Sequence, residues 1–208
     1  MAKSPVQPDS RILITGAGII GNLWVTMFHY HGFRDGTVSE PADGRRYITE
    51  KLGTYWCDCV LNYHFNIVLE TGFKMVVPRD LEAQEKEKDA EQFGFDVIIE
   101  CSGFPPALEQ ALAWTKRGAT IMIFGCAPPG KTVKICPEEI FRKELTFLGS
   151  LINPATYSRA VRLAANLGER YLAYDKLGVK VFSIEDYNEA INQLKKGSIA
   201  KAVFDMSS

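Results

Sequence analysis

Short apolar runs alternate along the chain with longer stretches in which apolar and polar residues recur at helical spacing. Such runs, rich in β-branched residues, are typical of strands buried on both faces of a parallel sheet. The predicted strands are 11–15, 37–39, 72–77, 95–101, 119–124 and 145–149. Because helices are predicted between these strands, the pattern indicates right-handed β-α-β crossovers and an α/β fold with a doubly wound parallel sheet.

The helices between the predicted strands are expected over 22–32, 43–52, 82–91, 105–118 and 137–144. Gly53 is expected to stop the second of these helices, and Gly118 the fourth. The stretch 82–91 mixes lysine and glutamate, which indicates a solvated helix face.

The pattern changes after Gly149. Helices are expected over 157–167 and 184–195, and strands over 179–182 and 201–204. Because these elements follow the sixth predicted strand, we expect two units: a first domain, residues 1–150, and a C-terminal segment, residues 151–208, that docks on it.

The first predicted strand is followed by Gly-Ala-Gly-Ile-Ile-Gly at residues 16–21 and then by a predicted helix. In this context the first glycine permits a tight turn, the second lets backbone N–H groups approach a pyrophosphate, and the third lets the helix pack on the strand. The phosphates would lie at the positive end of the helix dipole. The motif therefore predicts a dinucleotide-binding Rossmann domain, with contacts from Gly16, Gly18, Ile19, Ile20 and Gly21.

An acidic residue, Glu40, ends the second predicted strand, 19 residues after Gly21. A carboxylate there can accept hydrogen bonds from the adenosine ribose hydroxyls and repels a 2′-phosphate, so NAD is favoured over NADP. Arg45 follows closely, and its role stays open. It contacts the adenine, or meets the phosphate of NADP, or is a solvated arginine in the first turn of a helix.

Further site residues are expected at the carboxyl ends of the later strands, where ligands of doubly wound sheets lie. Cys101 and Ser102 follow the fourth predicted strand, and Gly125 follows the fifth. We expect these three residues to lie along the nicotinamide half of the cofactor.

Composition and charge exclude two classes of partner. The chain has 208 residues and a net charge of −1, so no basic face for nucleic acid is expected. No apolar run reaches membrane-spanning length, and no signal peptide is recognisable at the N-terminus, so no membrane association is expected. The five cysteines have irregular spacing, which indicates free thiols in a reducing compartment and a cytoplasmic location.

The order of these pieces resembles the medium-chain, zinc-type alcohol dehydrogenase family. The resemblance rests on GAGIIG (16–21), VSEP (38–41), RRYITEKLG (45–53), FDVIIECSG (95–103), ALEQAL (107–112), RGATIMIFG (117–125), ELTFLGS (144–150) and IEDYNEAINQLKKGSIAKAVFDM (184–206). The tail and the segment ELTFLGSLINP are most similar to the polyol branch, the sorbitol- and arabinitol-type dehydrogenases, with threonine-type enzymes nearby.

The resemblance implies reversible hydride transfer between a secondary alcohol or polyol and a nicotinamide cofactor, with zinc polarising the alcohol oxygen. In the family, a catalytic domain with the zinc ligands precedes the nucleotide-binding half, and we expect that domain to be missing here, with 151–208 as its remnant. Cys57, Cys59 and His64 lack the spacing of a zinc site. We therefore expect no zinc, assign no catalytic residue, and expect weak dinucleotide binding without alcohol turnover.

One block interrupts the resemblance. Residues 54–70, mostly apolar, separate Gly53 from the third predicted strand, where loops of about two to six residues are usual. Three interpretations are open: a segment introduced by imperfect splicing or gene prediction, an added element packed on the sheet, or a contact with a partner or lipid.

Three functions are open at this point. The chain is part of a dehydrogenase whose activity belongs to a longer form, or a stand-alone dinucleotide-binding pseudo-enzyme or interaction module, or a protein that binds another adenosyl ligand such as a methyl donor. The family-like tail disfavours the third. In the resembled family the sheets pair through the last strand, so we also expect a homo-oligomer formed through Pro137 to Leu151.

Overall fold

A computed structural model describes residues 6–33, 36–55, 73–87, 93–151 and 155–207. Within those ranges the chain forms a six-stranded sheet with helices on both faces, followed by a two-stranded unit. The predictions made above for residues 56–70, which include Cys57, Cys59 and His64, lie outside the described residues.

The six strands are parallel and lie in the order β3-β2-β1-β4-β5-β6. Their bounds are β1 (Ile12–Thr15), β2 (Gly36–Ser39), β3 (Phe73–Val76), β4 (Phe95–Glu100), β5 (Thr115–Ile123) and β6 (Thr146–Gly149). After β1, the chain adds β2 and then β3 on one side of β1, and β4 pairs with the other side of β1. This order confirms the predicted doubly wound Rossmann sheet.

Helices cover both faces of this sheet. Their bounds are α1 (Ile19–Tyr30), α2 (Asp43–Tyr55), α3 (Pro78–Glu87), α4 (Pro105–Ala113) and α5 (Pro137–Lys143). Apolar side chains of α1 and α2 share one buried cluster, and those of α3 and α4 share the cluster on the opposite face.

The continuous apolar run of β1 has a direct structural reason. Ile12 and Ile14 belong to the cluster on one face and Leu13 to the cluster on the other, and all three are 0% exposed. Successive side chains of a strand point to opposite faces, so a strand covered by helices on both sides needs apolar residues at every position.

The prediction that the fourth helix reaches Gly118 is wrong. Helix α4 ends at Ala113, and the hydroxyl of Thr115 donates a 2.6 Å hydrogen bond to the carbonyl of Leu112. Trp114, between these two residues, is 1% exposed. Burial of its large apolar ring ends the helix at this point, although the local sequence favours a longer helix. Strand β5 then begins early and contains a register shift, with Gly118 at a φ of +75°.

The predicted helix stop at Gly53 is also wrong, since α2 continues to Tyr55. A glycine inside a helix costs about 1 kcal/mol relative to alanine. The fully buried Leu52 in the same turn contributes a packing energy of at least that size.

A second, smaller unit follows the sheet. It contains α6 (Tyr157–Leu172, kinked at Gly168), α7 (Tyr174–Leu177), β7 (Val179–Ser183), α8 (Tyr187–Lys196) and β8 (Lys201–Asp205). The parallel pair β7–β8 packs with α8 around Phe182, Ala190 and Ile199.

This C-terminal unit packs on α2 through α7. Leu177 joins the same buried cluster as Leu52, and its carbonyl accepts a 3.4 Å hydrogen bond from the side-chain amide of Asn22. A Cβ on Gly44 would lie 2.6 Å from the carbonyl oxygen of Gly197, so the start of α2 and the end of α8 approach each other backbone to backbone.

Candidate functional site

The strand order reverses between β1 and β4, and doubly wound sheets have their ligand crevice at the carboxyl ends of such a pair of strands. These strands are neighbours, but the chain leaves β1 toward β2 and leaves β4 toward β5, on the opposite side. Their loops therefore diverge, which is where doubly wound sheets bind ligands. The structure brings four predicted site positions to this edge: Gly16 after β1, Glu40 after β2, Ser102 after β4 and Gly125 after β5.

The loop between β1 and α1 depends on glycine at two places for steric reasons. Gly16 has a φ of +97°, in the left-handed region that other residues rarely adopt. A Cβ on Gly21 would lie 2.0 Å from the carbonyl oxygen of Gly16, so no side chain fits there. Gly18 differs from both, because a Cβ there would meet nothing within 4 Å. The loop is therefore tight against the protein at Gly16 and Gly21 and open outward at Gly18.

Helix α1 begins directly from this open point. Gly18 is its N-cap residue and has no side chain to bond the first N–H groups, and Ile19 and Ile20 form the first turn. The N–H groups of a first turn have no partner within the helix and carry the positive end of its dipole. An anionic group can therefore approach the backbone at Gly18.

Glu40 lies at the end of β2 and is 3% exposed. One carboxylate oxygen accepts a 2.9 Å hydrogen bond from the backbone N–H of Ala17, and the other accepts one of 2.9 Å from the N–H of Ala42. The carboxylate is thus bonded directly to the glycine loop, beside the opening at Gly18. Each oxygen keeps acceptor capacity for a further donor.

The side chain of Arg45, in the first turns of α2, contacts two neighbouring residues. One guanidinium nitrogen lies 3.9 Å from a carboxylate oxygen of Glu40, and another donates a 3.4 Å hydrogen bond to the carbonyl of Leu194 at the end of α8. Arg45 therefore connects the carboxylate at the crevice with the C-terminal unit. Its predicted contact with a cofactor stays a prediction.

Cys101 and Ser102 continue from β4 on the other side of the crevice. The N–H of Cys101 donates a 2.9 Å hydrogen bond to the carbonyl of Thr15, which ties this loop to the end of β1. Burial, with a smaller contribution from the neighbouring Glu100 carboxylate, raises the pKa of the Cys101 thiol. The raised pKa disfavours the reactive thiolate form of Cys101.

Two residues at this edge were missed by the sequence analysis. Glu100, the last residue of β4, is 2% exposed, and its carboxylate accepts hydrogen bonds from the loop that follows. Phe124 follows β5 and lines an apolar cleft of about 460 Å³ together with Ile20 and Trp24. An acidic residue in the apolar run of β4 and an aromatic residue beside Gly125 are the signals that could have indicated them.

These features fit a dinucleotide. The open backbone at Gly18 and the uncapped start of α1 suit a pyrophosphate, and the carboxylate of Glu40 stands within the same loop for a ribose. Gly16, Gly18, Ile19, Ile20 and Gly21 would hold the phosphates.

The described ranges contain neither a metal centre nor a membrane-spanning helix. No three His, Cys, Asp or Glu side chains come together there in a group able to hold a metal ion. None of the described helices is both long and apolar enough to cross a bilayer.

Comparisons with known proteins identify the family of this chain. A family model described as a zinc-binding dehydrogenase matches residues 20–166. The chain is 27% identical over 138 residues to D-arabinitol dehydrogenase 1 of Uromyces fabae, covering 59% of this chain and 39% of that protein. It is 28% identical over 203 residues to L-threonine 3-dehydrogenase of Pyrococcus horikoshii, covering 93% of this chain and 50% of that protein.

The fold is also found among solved structures. A protein of Sinorhizobium meliloti described as a zinc-binding dehydrogenase and bound to NADP superposes with a TM-score of 0.70 at 26% identity. The superposition covers 90% of this chain and 50% of that one. The chain spans about half the length of the curated relatives it matches.

Proposed function

The chain belongs to the zinc-binding dehydrogenase family, and from this premise we propose that it is the nicotinamide-cofactor-binding part of an alcohol or polyol dehydrogenase. The observation that carries the proposal is the loop 16–21, which is open at Gly18 and has the Glu40 carboxylate bonded to its backbone. The relatives named for arabinitol and threonine support a hydroxyl-bearing substrate.

The proposed cofactor is NAD rather than NADP. Glu40 is nearly covered, so its charge is poorly screened by water and would repel a 2′-phosphate placed beside it. The ribose hydroxyls of NAD, by contrast, can donate hydrogen bonds to the same oxygens. The solved relative from Sinorhizobium meliloti binds NADP, so the choice depends here on Glu40 and not on family membership.

The residues of this chain bind and orient the cofactor. The first turn of α1 would hold the pyrophosphate, Glu40 the adenosine ribose, and the loops carrying Ser102 and Gly125 would border the nicotinamide half. When bound, the cofactor supplies hydride exchange with the carbon of an alcohol. The described residues offer no group of zinc ligands.

We also propose a division of the chain at residue 150. Residues 1–150 would form the dinucleotide-binding domain, and residues 151–208 a segment that completes a second domain. The apolar cluster around Phe182, Ala190 and Ile199 supports this division, because all of its members follow residue 150. Leu177 of the same segment packs in a cluster of the sheet and connects the two units.

Substitution of Gly18 by valine tests the proposed function. The backbone there is extended (φ −75°, ψ −173°) and the space outside is open, so Gly18→Val should fold. Its side chain would occupy the position proposed for the phosphates. Isothermal titration should show NAD affinity reduced by at least about tenfold, which is about 1.4 kcal/mol.

Ala165→Val, on the exposed side of α6, is the matched control and should bind NAD like the unmodified chain. Circular dichroism establishes that both variants are folded. If folded Gly18→Val binds NAD with unchanged affinity, the phosphates do not lie on this loop and the proposal is wrong.

A further inference from the structure

Glu100 is a buried carboxylate that the proposed function does not use. One of its oxygens accepts hydrogen bonds from the N–H of Ser102 at 2.7 Å and the N–H of Gly103 at 3.0 Å, and a third bond from the Ser102 hydroxyl. These three donors lie in the loop that leaves β4. A buried carboxylate without such donors would be strongly unfavourable, so the side chain and the loop stabilise each other.

The same residue also holds the loop after β5. The backbone carbonyl of Glu100 accepts hydrogen bonds from the N–H groups of Phe124 at 2.9 Å and Gly125 at 2.7 Å. Its second carboxylate oxygen lies 2.7 Å from where a Cβ on Gly125 would stand, and the N–H of Gly103 lies 2.3 Å from that point. Glu100, Gly103 and Gly125 are therefore packed together without space for a side chain at Gly125.

These two loops border one half of the crevice. Glu40 is on the β2 side of β1, and Gly18 lies at the turn after β1 itself. With the adenosine ribose at Glu40 and the pyrophosphate at Gly18, the rest of a dinucleotide extends over β4 and β5. The loops fixed by Glu100 are the ones that this half would meet.

We propose that Glu100 is a positioning residue that sets the pocket for the nicotinamide ring of the cofactor, acting through the loops after β4 and β5. The inference rests on the proposed function. It predicts that Glu100 affects binding of the whole dinucleotide and leaves binding of ADP-ribose, the dinucleotide without its nicotinamide ring, unchanged.

Two conservative variants separate position from charge. Glu100→Gln keeps the side-chain length and an oxygen that can accept the three hydrogen bonds, but loses the charge. Glu100→Asp keeps the charge but is one methylene shorter, so its carboxylate cannot reach the same donors. If Glu100 acts by its position, Glu100→Gln should bind NAD normally and Glu100→Asp should bind it more weakly. An attraction between the Glu100 charge and the cationic nicotinamide ring requires the reverse.

The experiment is isothermal titration of the full 208-residue chain with NAD and, separately, ADP-ribose, which has no nicotinamide. For Glu100→Asp we expect NAD affinity to fall about tenfold and ADP-ribose affinity to stay within about twofold. Glu100→Gln should stay within about threefold of the unmodified chain for both ligands. Glu138→Asp, at an exposed position on α5, is the matched control and should change neither.

The outcomes distinguish the two proposals. If the unmodified chain binds neither ligand, the proposed function fails, and this inference fails with it. If the chain binds both ligands but Glu100→Asp lowers both affinities equally or neither, only the positioning role is overturned. Loss of NAD affinity in Glu100→Gln overturns it too. Should Glu100→Asp not fold, Ser102→Ala decides: a shifted ratio of NAD to ADP-ribose affinity supports the inference, and an unchanged ratio overturns it.

Discussion

At the scale of single residues, Glu40 has two tasks that compete for the same oxygens. Its carboxylate is bonded to the N–H groups of Ala17 and Ala42 and so holds the glycine loop against the start of α2. The proposed ribose contact has to use the acceptor capacity that these bonds leave. A substitution at Glu40 therefore changes both the hydrogen bonds of the loop and the preference between NAD and NADP. Only the ratio of the two cofactor affinities separates the second effect from the first.

Glu40→Gln should narrow the preference for NAD over NADP by about tenfold, because the amide no longer repels a 2′-phosphate. Isothermal titration of both cofactors gives the ratio of the NAD affinity to the NADP affinity. The substitution also removes one hydrogen bond to the loop, but this loss affects both affinities alike and cancels in the ratio. Glu50→Gln, an exposed carboxylate on α2, is the charge-matched control and should leave the ratio unchanged. Equal affinities of the unmodified chain for the two cofactors would remove Glu40 from this role.

The cysteines offer a second prediction at this scale. Burial and the Glu100 carboxylate raise the pKa of Cys101, so its reactive thiolate is scarce at neutral pH, whereas Cys126 and Cys136 are exposed. Iodoacetamide at pH 7.5 should label Cys126 and Cys136 in the folded chain and leave Cys101 unlabelled until denaturant is added. Peptide mapping by mass spectrometry reads each site, and rapid labelling of Cys101 would contradict the assigned environment.

At the scale of elements, local patterns predicted which segments are strands but not where each helix ends. The β-branched runs of β1 and β4 indicated strands because they are buried on both faces. The end of α4 depends on Trp114, whose burial comes from strand and helix neighbours that the local sequence does not reveal. The same holds for the site: the glycine loop is a local signal, while the role of Glu100 depends on a loop after β5 that is distant in sequence.

The contact between α1 and α2 gives a prediction at this scale. Asn22 is fully buried, and the hydroxyl of Thr49 donates a 2.6 Å hydrogen bond to its side-chain carbonyl. Thr49→Val keeps the shape but leaves that oxygen without its donor, which should lower the free energy of unfolding by about 1–3 kcal/mol. Urea denaturation measures the change. Thr132→Val, at an exposed position, is the matched control, and an equal effect of both substitutions would show that the buried bond contributes nothing.

At the scale of the whole molecule, the C-terminal unit is joined to the sheet at the edge that carries the proposed cofactor site. Asn22, which follows the glycine loop, donates to the carbonyl of Leu177, and Arg45, beside Glu40, donates to that of Leu194. The elements that hold the proposed cofactor thus also hold this unit. These two contacts are where cofactor binding would change the stability of the unit.

Self-association is the remaining prediction at this scale. Strand β6 is at the edge of the described sheet and pairs there with β5 alone, so its outer backbone groups can pair with a second copy. Phe141 before it and Leu151 after it are each 82% exposed, an unusual amount of apolar surface beside an open strand edge. Two sheets that meet through β6 would cover these side chains and form a closed two-fold dimer.

The double substitution Phe141→Glu and Leu151→Glu should therefore convert a dimer into a monomer. Both side chains are exposed, so the substitutions should leave the melting temperature of the single chain nearly unchanged. Light scattering coupled to size exclusion measures the mass. Tyr174→Glu, at a position 55% exposed on α7, is the control and should remain dimeric. A monomeric unmodified chain would contradict self-association. A dimer that survives the double substitution would show that the edge of β6 is not the contact, because two carboxylates cannot be buried there without partners.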